Sequence, residues 1–553
     1  MNNDYELLET FTKDKEIWSY LRHKKTGLEV AYHQCETKES GFSFTFRTPV
    51  EDQYLGTSHV LEHCVLCGSK KYDVDFQDLK KLSCFSNVNA ETGSYETRYF
   101  FYSYFEEECL KLIPILADYV FFPRLSEEAF MQECIHVEFD EKGDGRKKEA
   151  VGVVYNELKA MSEGEHISGG LYYLLQKLTV QKIREYHKKY YRPDNCLFVF
   201  NGNASLDSII QVLEKFLPDL EKEFDVAKIT PRTNLTVNEF LNKVSFEEAP
   251  ADLENPEDAK WTFYRKDNIC SKITEYWEYG FSPIMPFCLD EQYAYSAYCC
   301  WEQNFKDYEK EIIPVKISVP EIISEYLSQF SSQEYKQKLK NLYKWQERDV
   351  REEAMKIMEP LIVLQYAMEL PDQDKKTDSE KQKIERRIND HFNKNYDLIT
   401  KIDKTSCSIE FRPSEYLSRE FHAEYALTLF LQMFLHKRMR QLGKLYDVGS
   451  VFDYPFAFKI FTVNTNHPQK TLKLLKELIK ETPNYNFTQT DLLAIKSQIY
   501  FIITVNSTYY FSEEIFTVTP EDLHQAAIRF SHMIEPPKED ETYYFKIGDI
   551  FLK

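Results

Sequence analysis

Apolar positions change their period several times along the chain, and each change marks an element. Residues 27–48, GLEVAYHQCETKESGFSFTFRT, hold two runs that read as strands. The stretch from Thr57 to Leu66 predicts a helix. Residues 75–105 predict an amphipathic helix and then a strand, ETRYFFYSYF. EECLKLIPILADYVFFP (107–123) has helical apolar spacing and stops at a proline. KEAVGVVYNELKAMSEGE (148–165) predicts a further helix. YYRPDNCLFVFNGNASLDSIIQVLEKFLP (190–218) reads as turn, buried strand, Asn/Ser cap and helix. Strands and helices alternating in this way predict one α+β domain over residues 1–225.

The pattern then weakens. Residues 226–260 are polar and acidic, so 226–330 reads as a linker plus an abbreviated second unit. Charge density rises over 331–403, which predicts two solvated helices broken around Pro371, a helical hairpin between domains. From 404 to 553 the alternation returns. SCSIEFRP is a strand, HAEYALTLFLQMFLHKRMRQL a helix, VGSVFDYPFAFKIFTVN strands and PQKTLKLLKELIKE a helix. This second α+β domain echoes the first and suggests duplicated units.

Composition narrows the chemistry. The 553 residues are 43% hydrophobic and 29% charged, the make-up of ordinary folded domains. No GxGxxG or GxxxxGK[ST] stands in the sequence, so nucleotide binding loses its usual support. A net charge of −21 predicts repulsion from nucleic acid and anionic membranes and attraction for basic partners, although a charge spread along the chain also reads simply as solubility. No run of about 18 apolar residues occurs, so no membrane-spanning helix is expected. The first residues have neither an apolar signal core nor an Arg-rich, acid-poor presequence, so a cytoplasmic protein is expected over a mitochondrial-type organelle. The twelve cysteines then read as reduced thiols.

One short stretch carries the sharpest chemistry: His59-Val-Leu-Glu62-His63. On a helix, positions i and i+4 share a face, so two imidazoles would meet at one point. Neutral imidazoles suit Zn²⁺, and a nearby non-ligand carboxylate suits a general base for water. H-x-x-E-H is the inverted zinc-peptidase pattern. By chance about 0.03 matches are expected in such a chain, which is suggestive but leaves a surface helix with two unrelated histidines as the alternative. A catalytic zinc needs a third protein ligand, and Glu157 in GVVYNELKA, on a predicted helix, is the candidate. Cys64-x-x-Cys67 has no second pair at zinc-finger spacing and reads as two buried thiols. His136, His166 and His187 read as structural or surface residues, and Glu149 as a possible neighbour of the ligands.

HVLEHCVLCGSKKY, NAETGSYETRYFFYS, FFPRLSEEAFMQE, GVVYNELKA and YYRPDNCLFVFNGN resemble, in that order, the N-terminal domain of the pitrilysin-type metallopeptidases. The likeness is greatest to the presequence-protease branch, which degrades short unstructured peptides, and it covers about residues 15–220. The resemblance implies repeated α+β units, mostly antiparallel sheet with helices packed on it, forming a clamshell-like chamber. It implies one Zn²⁺ held by His59, His63 and Glu157, with Glu62 as the base that activates water. Asn89-Ala90, followed by Thr92 and Thr97, resembles the edge strand to which family substrates add as an extra strand. Asn89 would then contact the substrate backbone, and folded proteins would be excluded. A turn or strand-end role for Asn89 stays open.

A second likeness lies downstream. RQLGKLYDVGSVFD carries Arg440 and Tyr446 and resembles the R-x-x-G-G-x-Y segment of the family's C-terminal domain. There Arg holds a substrate carbonyl or carboxylate and Tyr stabilises the oxyanion. Lys444 departs from the family's second glycine, which puts the aim of Tyr446 in question. A basic helix end followed by a core tyrosine is the alternative. Full-length relatives resemble a clamshell of four units, nearly twice this length. Either this chain closes a minimal chamber as a monomer, or it completes one as a homodimer. The expected function is a zinc endopeptidase for short extended peptides. The alternative is an inactive pitrilysin-like subunit that binds peptides or scaffolds a partner.

Overall fold

The computed structural model describes, in the main, residues 3–48, 55–93, 96–139, 148–160, 169–224, 333–366, 378–441, 447–505 and 510–534. The expected linker and second unit at 226–330 lie outside the described residues, a few positions after 322 apart. By compactness the chain forms two units. The first takes Met1–Pro49, Asn87–Phe121 and His187–Ser318, and the second Val50–Ser86, Phe122–Tyr186 and Val319–Lys553.

The first unit is built on a seven-stranded sheet. Its strands are β1 (Tyr5–Lys13), β2 (Glu16–His23), β3 (Glu29–Gln34), β4 (Ser40–Arg47), β5 (Phe85–Thr92), β6 (Glu96–Ser103) and β9 (Cys196–Gly202). They lie in the order β1-β2-β3-β9-β4-β6-β5. β3 and β9 pair parallel, while β1–β2, β2–β3, β4–β9 and β4–β6 pair antiparallel. The central strands β4 and β9 are buried on both faces, which suits their Phe-rich sequences. Phe44 and Phe198 meet with ring centroids 5.1 Å apart, and Phe46 stacks on Tyr191 at 4.3 Å. The Tyr191 hydroxyl is satisfied at 2.8 Å by that of Tyr99, as a buried phenol requires. Each such ring contributes about 1.5–3 kcal/mol on burial. Helix α3 (Glu106–Phe121) packs on β4 and β6, and α7 (Leu206–Leu213) packs on α3. The cap predicted for α7 is Ser205, whose hydroxyl accepts from the Ser208 amide at 3.2 Å. Helix α8 (Leu217–Glu223) follows it.

The second unit gathers helices from both ends of the chain. Its early part holds α1 (Thr57–Val65), α2 (Phe76–Lys80), α4 (Glu127–Glu133), the hairpin of β7 (His136–Phe139) and β8 (Lys148–Val151), and α5 (Val153–Ala160). Helix α6 (Val180–Tyr190) carries the chain on towards β9. The late part holds a five-stranded sheet of β10 (Leu398–Ile402), β11 (Cys407–Phe411), β12 (Asp447–Asp453), β13 (Ala457–Val463) and β14 (Phe545–Lys546). Its order is β12-β13-β11-β10-β14, antiparallel except for β10–β14. Helices α12 (Arg419–Gln441), α13 (Pro468–Glu481), α14 (Gln489–Val505) and α15 (Pro520–Ile534) complete it, and Phe411 stacks flat on Phe530 at 4.1 Å in its core. The architecture is α+β, with mostly antiparallel sheets and helices packed on them.

Three expectations need correction. Residues 148–165 do not form one helix. Lys148–Val151 pair with β7, with His136 opposite Val151, and the helix starts only at Val153. Gly152 makes the junction, because a Cβ there would lie 2.3 Å from the Cys134 carbonyl oxygen. The helix in 75–105 is only the five residues of α2, and the rest includes β5 as well as β6. Residues 331–403 hold three helices, α9 (Gln333–Gln346), α10 (Arg351–Tyr366) and α11 (Asp378–His391), and β10 begins before 404. The stretch around Pro371 lies outside the described residues. Nor are α9 and α10 solvated arms: Leu342 and Met358 are fully buried. The Tyr335 hydroxyl accepts from the Val137 amide at 2.6 Å and donates to the Val137 carbonyl at 3.1 Å, docking α9 on β7. The charged faces masked a narrow apolar stripe that this contact buries.

Candidate metal centre

Helix α1 starts where three glycines let two backbones touch. Gly56 is left-handed, with φ 66°, and a Cβ on it would lie 2.2 Å from the Gly169 carbonyl oxygen. Gly170, with φ +84°, would put a Cβ 2.5 Å from the Gly56 nitrogen. No other residue type fits this crossing without displacement. From there the helix is buried almost throughout, His59 and Glu62 included.

The helical turn sets His59 against His63, with ring centroids 5.0 Å apart and planes at 78°. Helix α5 supplies Glu157. Its Oε2 lies 3.7 Å from Nε2 of His59 and 3.6 Å from Nε2 of His63. One donor atom from each of the three residues lies within 4.8 Å of the others. These separations exceed a hydrogen bond. They are near the spacing of roughly 3.3 Å that two ligands keep around a tetrahedral zinc with bonds of about 2.0–2.2 Å. Oε2 of Glu157 is buried and makes no hydrogen bond. A buried carboxylate oxygen left in that state is costly, and a cation between the three atoms would satisfy it. The donor set therefore fits Zn²⁺ in type and number, with Glu157 at a suitable distance from both imidazoles.

Behind His63 stands a residue that sequence reasoning missed. Oε2 of Glu133, at the end of α4, lies 3.1 Å from Nδ1 of His63, and Glu133 is only 2% exposed. A carboxylate accepting from Nδ1–H fixes the tautomer that leaves the Nε2 lone pair for a metal. Glu133 stands in the segment FMQE already noted for its resemblance, but nothing in a single sequence marks it off from its acidic neighbours.

The other candidates fall as follows. Asn89 and Ala90 lie on β5, an edge of the seven-stranded sheet, with Asn89 exposed and Ala90 half-buried. Thr92 ends that strand, while Thr97 is buried on β6 and bonded at 2.8 Å to the Thr48 hydroxyl. Arg440 belongs to α12, but its side chain and all of Tyr446 lie outside the described residues. Cys64 and Cys67 are buried free thiols, and burial pushes the Cys64 thiol well above its usual range. His136 is buried with Nδ1 2.9 Å from the Met131 carbonyl, and His187 points Nε2 at the Val120 carbonyl at 2.9 Å, both structural roles. His166 lies outside the described residues. Glu149 is exposed on β8, opposite Glu138. Among the described residues, no helix is long and apolar enough to cross a membrane.

Comparison with known proteins centres on the same region. Residues 50–151 match the model for insulinase (peptidase family M16), and residues 177–267 match that for the peptidase M16 inactive domain. Presequence protease 1, chloroplastic/mitochondrial, of Arabidopsis thaliana is 33% identical over 223 residues, which is 36% of this chain and 20% of that protein. The mitochondrial presequence protease of Drosophila melanogaster is 34% identical over 228 residues, 37% of this chain and 22% of that one. Protein HypA of Clostridium perfringens is 33% identical over 228 residues, 37% and 23% respectively. The match thus spans only about a fifth of the length of these curated relatives. A solved protease from Helicobacter pylori aligns over 94% of this chain and 96% of its own, at 13% identity and a TM-score of 0.28.

Proposed function

Since the chain belongs, through its N-terminal region, to the pitrilysin-type M16 peptidases, we propose that it is a zinc-dependent endopeptidase for short, extended peptides. The observation that carries this reading is the convergence of His59, His63 and Glu157 on one point around an unsatisfied carboxylate oxygen. These three residues would hold the metal, with Glu133 orienting His63. When bound, Zn²⁺ supplies a Lewis acid that polarises a peptide carbonyl and acidifies water. Glu62, one residue before His63 on the same buried helix, takes the water proton and later gives it to the leaving amine. The β5 edge around Asn89 and Ala90 takes the substrate as an added strand, which requires an unfolded peptide. Arg440 and Tyr446 belong to the same proposal, Arg440 to hold a substrate carbonyl or carboxylate and Tyr446 to donate to the developing oxyanion. The net charge of −21 favours basic peptides. A cytoplasmic site of action, as monomer or homodimer, completes the reading.

The test is metal content and cleavage of a quenched fluorescent peptide, with and without a chelator. Stoichiometric zinc and chelator-sensitive cleavage are expected, both lost in His63→Ala. Zinc without cleavage of any peptide would leave a binding or scaffolding subunit. No zinc in the wild-type protein would end the reading.

A further inference from the structure

The carboxylate behind His63 is itself held, and the chain of contacts leads out to a helix that the sequence presents as a linker. Glu133 offers two oxygens. Oε2 takes His63, and Oε1 accepts from Nε2 of Gln132 at 2.8 Å. Gln132 is 5% exposed, so its amide has few orientations open to it. Because its nitrogen faces Glu133, its oxygen must face away, and there it accepts from Nε2 of Gln346 at 3.4 Å. Each donor and acceptor in this series has one consistent assignment, as a network-determined amide should.

The last member sits at the end of α9, and α9 is fastened to this spot at both ends of α4. Lys338 reaches Glu127, the first residue of α4, at 2.5 Å, and Gln346 reaches Gln132 near its last turn. Tyr335 docks the same helix on β7 through Val137, four residues beyond Glu133. Leu339 and Leu342 are buried between these polar contacts. A seven-residue helix such as α4 has little rigidity of its own. The docking of α9 supplies it, and with it the position of the Glu133 carboxylate.

We propose that Gln132 and Gln346 are positioning residues for the metal ligand His63, so that α9 is a working part of the metal centre and not a tether. The proposal rests on the zinc reading above. Gln132 fixes the rotation of the Glu133 carboxylate, and Gln346 fixes the amide of Gln132. The metal ligand far upstream in sequence thereby depends on a residue beyond the whole of 226–332.

The experiment titrates the full chain with zinc against a competing chelator and records the visible spectrum of the Co²⁺-loaded protein, which reports ligand geometry independently of activity. Gln132→Leu is expected to weaken zinc binding about tenfold, the lower end of what losing an outer-shell partner costs, and to change the Co²⁺ spectrum. Gln346→Leu, at a partly exposed position, is expected to do the same to a smaller degree, about two- to fivefold. Lys338→Ala removes only an exposed ion pair, a weak contact in water, leaves the buried docking of α9 through Tyr335, Leu339 and Leu342 in place, and is expected to leave both readouts at wild-type values. Wild-type affinity and an unchanged spectrum in folded Gln132→Leu and Gln346→Leu would overturn the relay and leave the zinc reading intact. Equal losses in Lys338→Ala would also overturn it, since general packing would then be the cause. If Gln132→Leu does not fold, Gln346→Leu decides the matter alone. Absence of metal binding in the wild type overturns both readings together.

Discussion

Two histidines on two helices, His63 on α1 and His187 on α6, are both partly buried and differ in what their ring nitrogens face. Nδ1 of His63 faces the Glu133 carboxylate, and its Nε2 faces Glu157 with no hydrogen bond between them. His187 points its Nε2 at the backbone carbonyl of Val120, in the unit built on the aromatic sheet. Among the described residues no group of ligand donors gathers at His187, whereas His59 and Glu157 gather at Nε2 of His63. A carboxylate at Nδ1 leaves that Nε2 available and raises its basicity. The donors gathered around the remaining ring nitrogen, more than burial, separate a candidate ligand from a structural residue.

The largest effect should come from the group beside His63. Glu62→Gln keeps shape and zinc but cannot accept a proton, so peptide turnover should fall about 10²–10⁴-fold with metal content unchanged. Cleavage at near wild-type rate would reduce Glu62 to a packing role. Glu133→Gln should be milder. The amide oxygen can still accept from Nδ1, but the charge is gone, and zinc affinity should drop about 10–100-fold in a chelator competition. His187→Gln, by contrast, should leave zinc and turnover untouched. If it lowered zinc affinity as Glu133→Gln does, the distinction between the two histidines would collapse.

The smallest effect sharpens the contrast through pH. Burial outweighs the hydrogen bond to Val120 and pulls His187 down from its usual 6.5 to about 4. The folded state therefore stays neutral where the unfolded chain takes up a proton. Its stability is full above about pH 6.5 and declines as pH falls towards about 4. The loss is about 3 kcal/mol by pH 4. His187→Gln keeps a donor for Val120 and does not titrate, so thermal melts between pH 7 and 4 should be flatter in the variant. Parallel melting curves for the two proteins across that range would contradict the assignment.

Local order fixed much in advance. The helix over Thr57–Val65, the strand at Cys196–Gly202 with its Ser205-capped helix, and the strand and helix order from Cys407 to Glu481 all follow from period and capping, which are short-range. So did the pairing of His59 with His63, because i and i+4 on a helix share a face whatever surrounds it. Zinc chemistry calls for a third ligand, Glu157 on a predicted helix is the candidate, and the likeness to the family points to the same residue.

Other features required the folded chain. The break of 148–160 into β8 and α5 depends on Cys134 approaching Gly152, a contact that no window of the sequence contains. The three helices of 331–403 look solvated by composition, since 18 of their 44 residues are charged. The burial of α9 is decided by the few apolar residues that meet α4 and by Tyr335 reaching Val137, while α10 packs on α2 and α14, and Ile384 and Ile388 of α11 join the core of the late sheet. Glu133 is one acid among many until tertiary packing brings it to His63 across seventy residues of chain. The sequence by itself determined which residues have metal-binding chemistry and which of them share a helical turn, because those are local properties. That Glu157 lies against the two imidazoles, that Glu133 stands behind His63 and what holds Glu133 still were decided only by tertiary structure. They depend on distances between segments that the chain order does not encode locally.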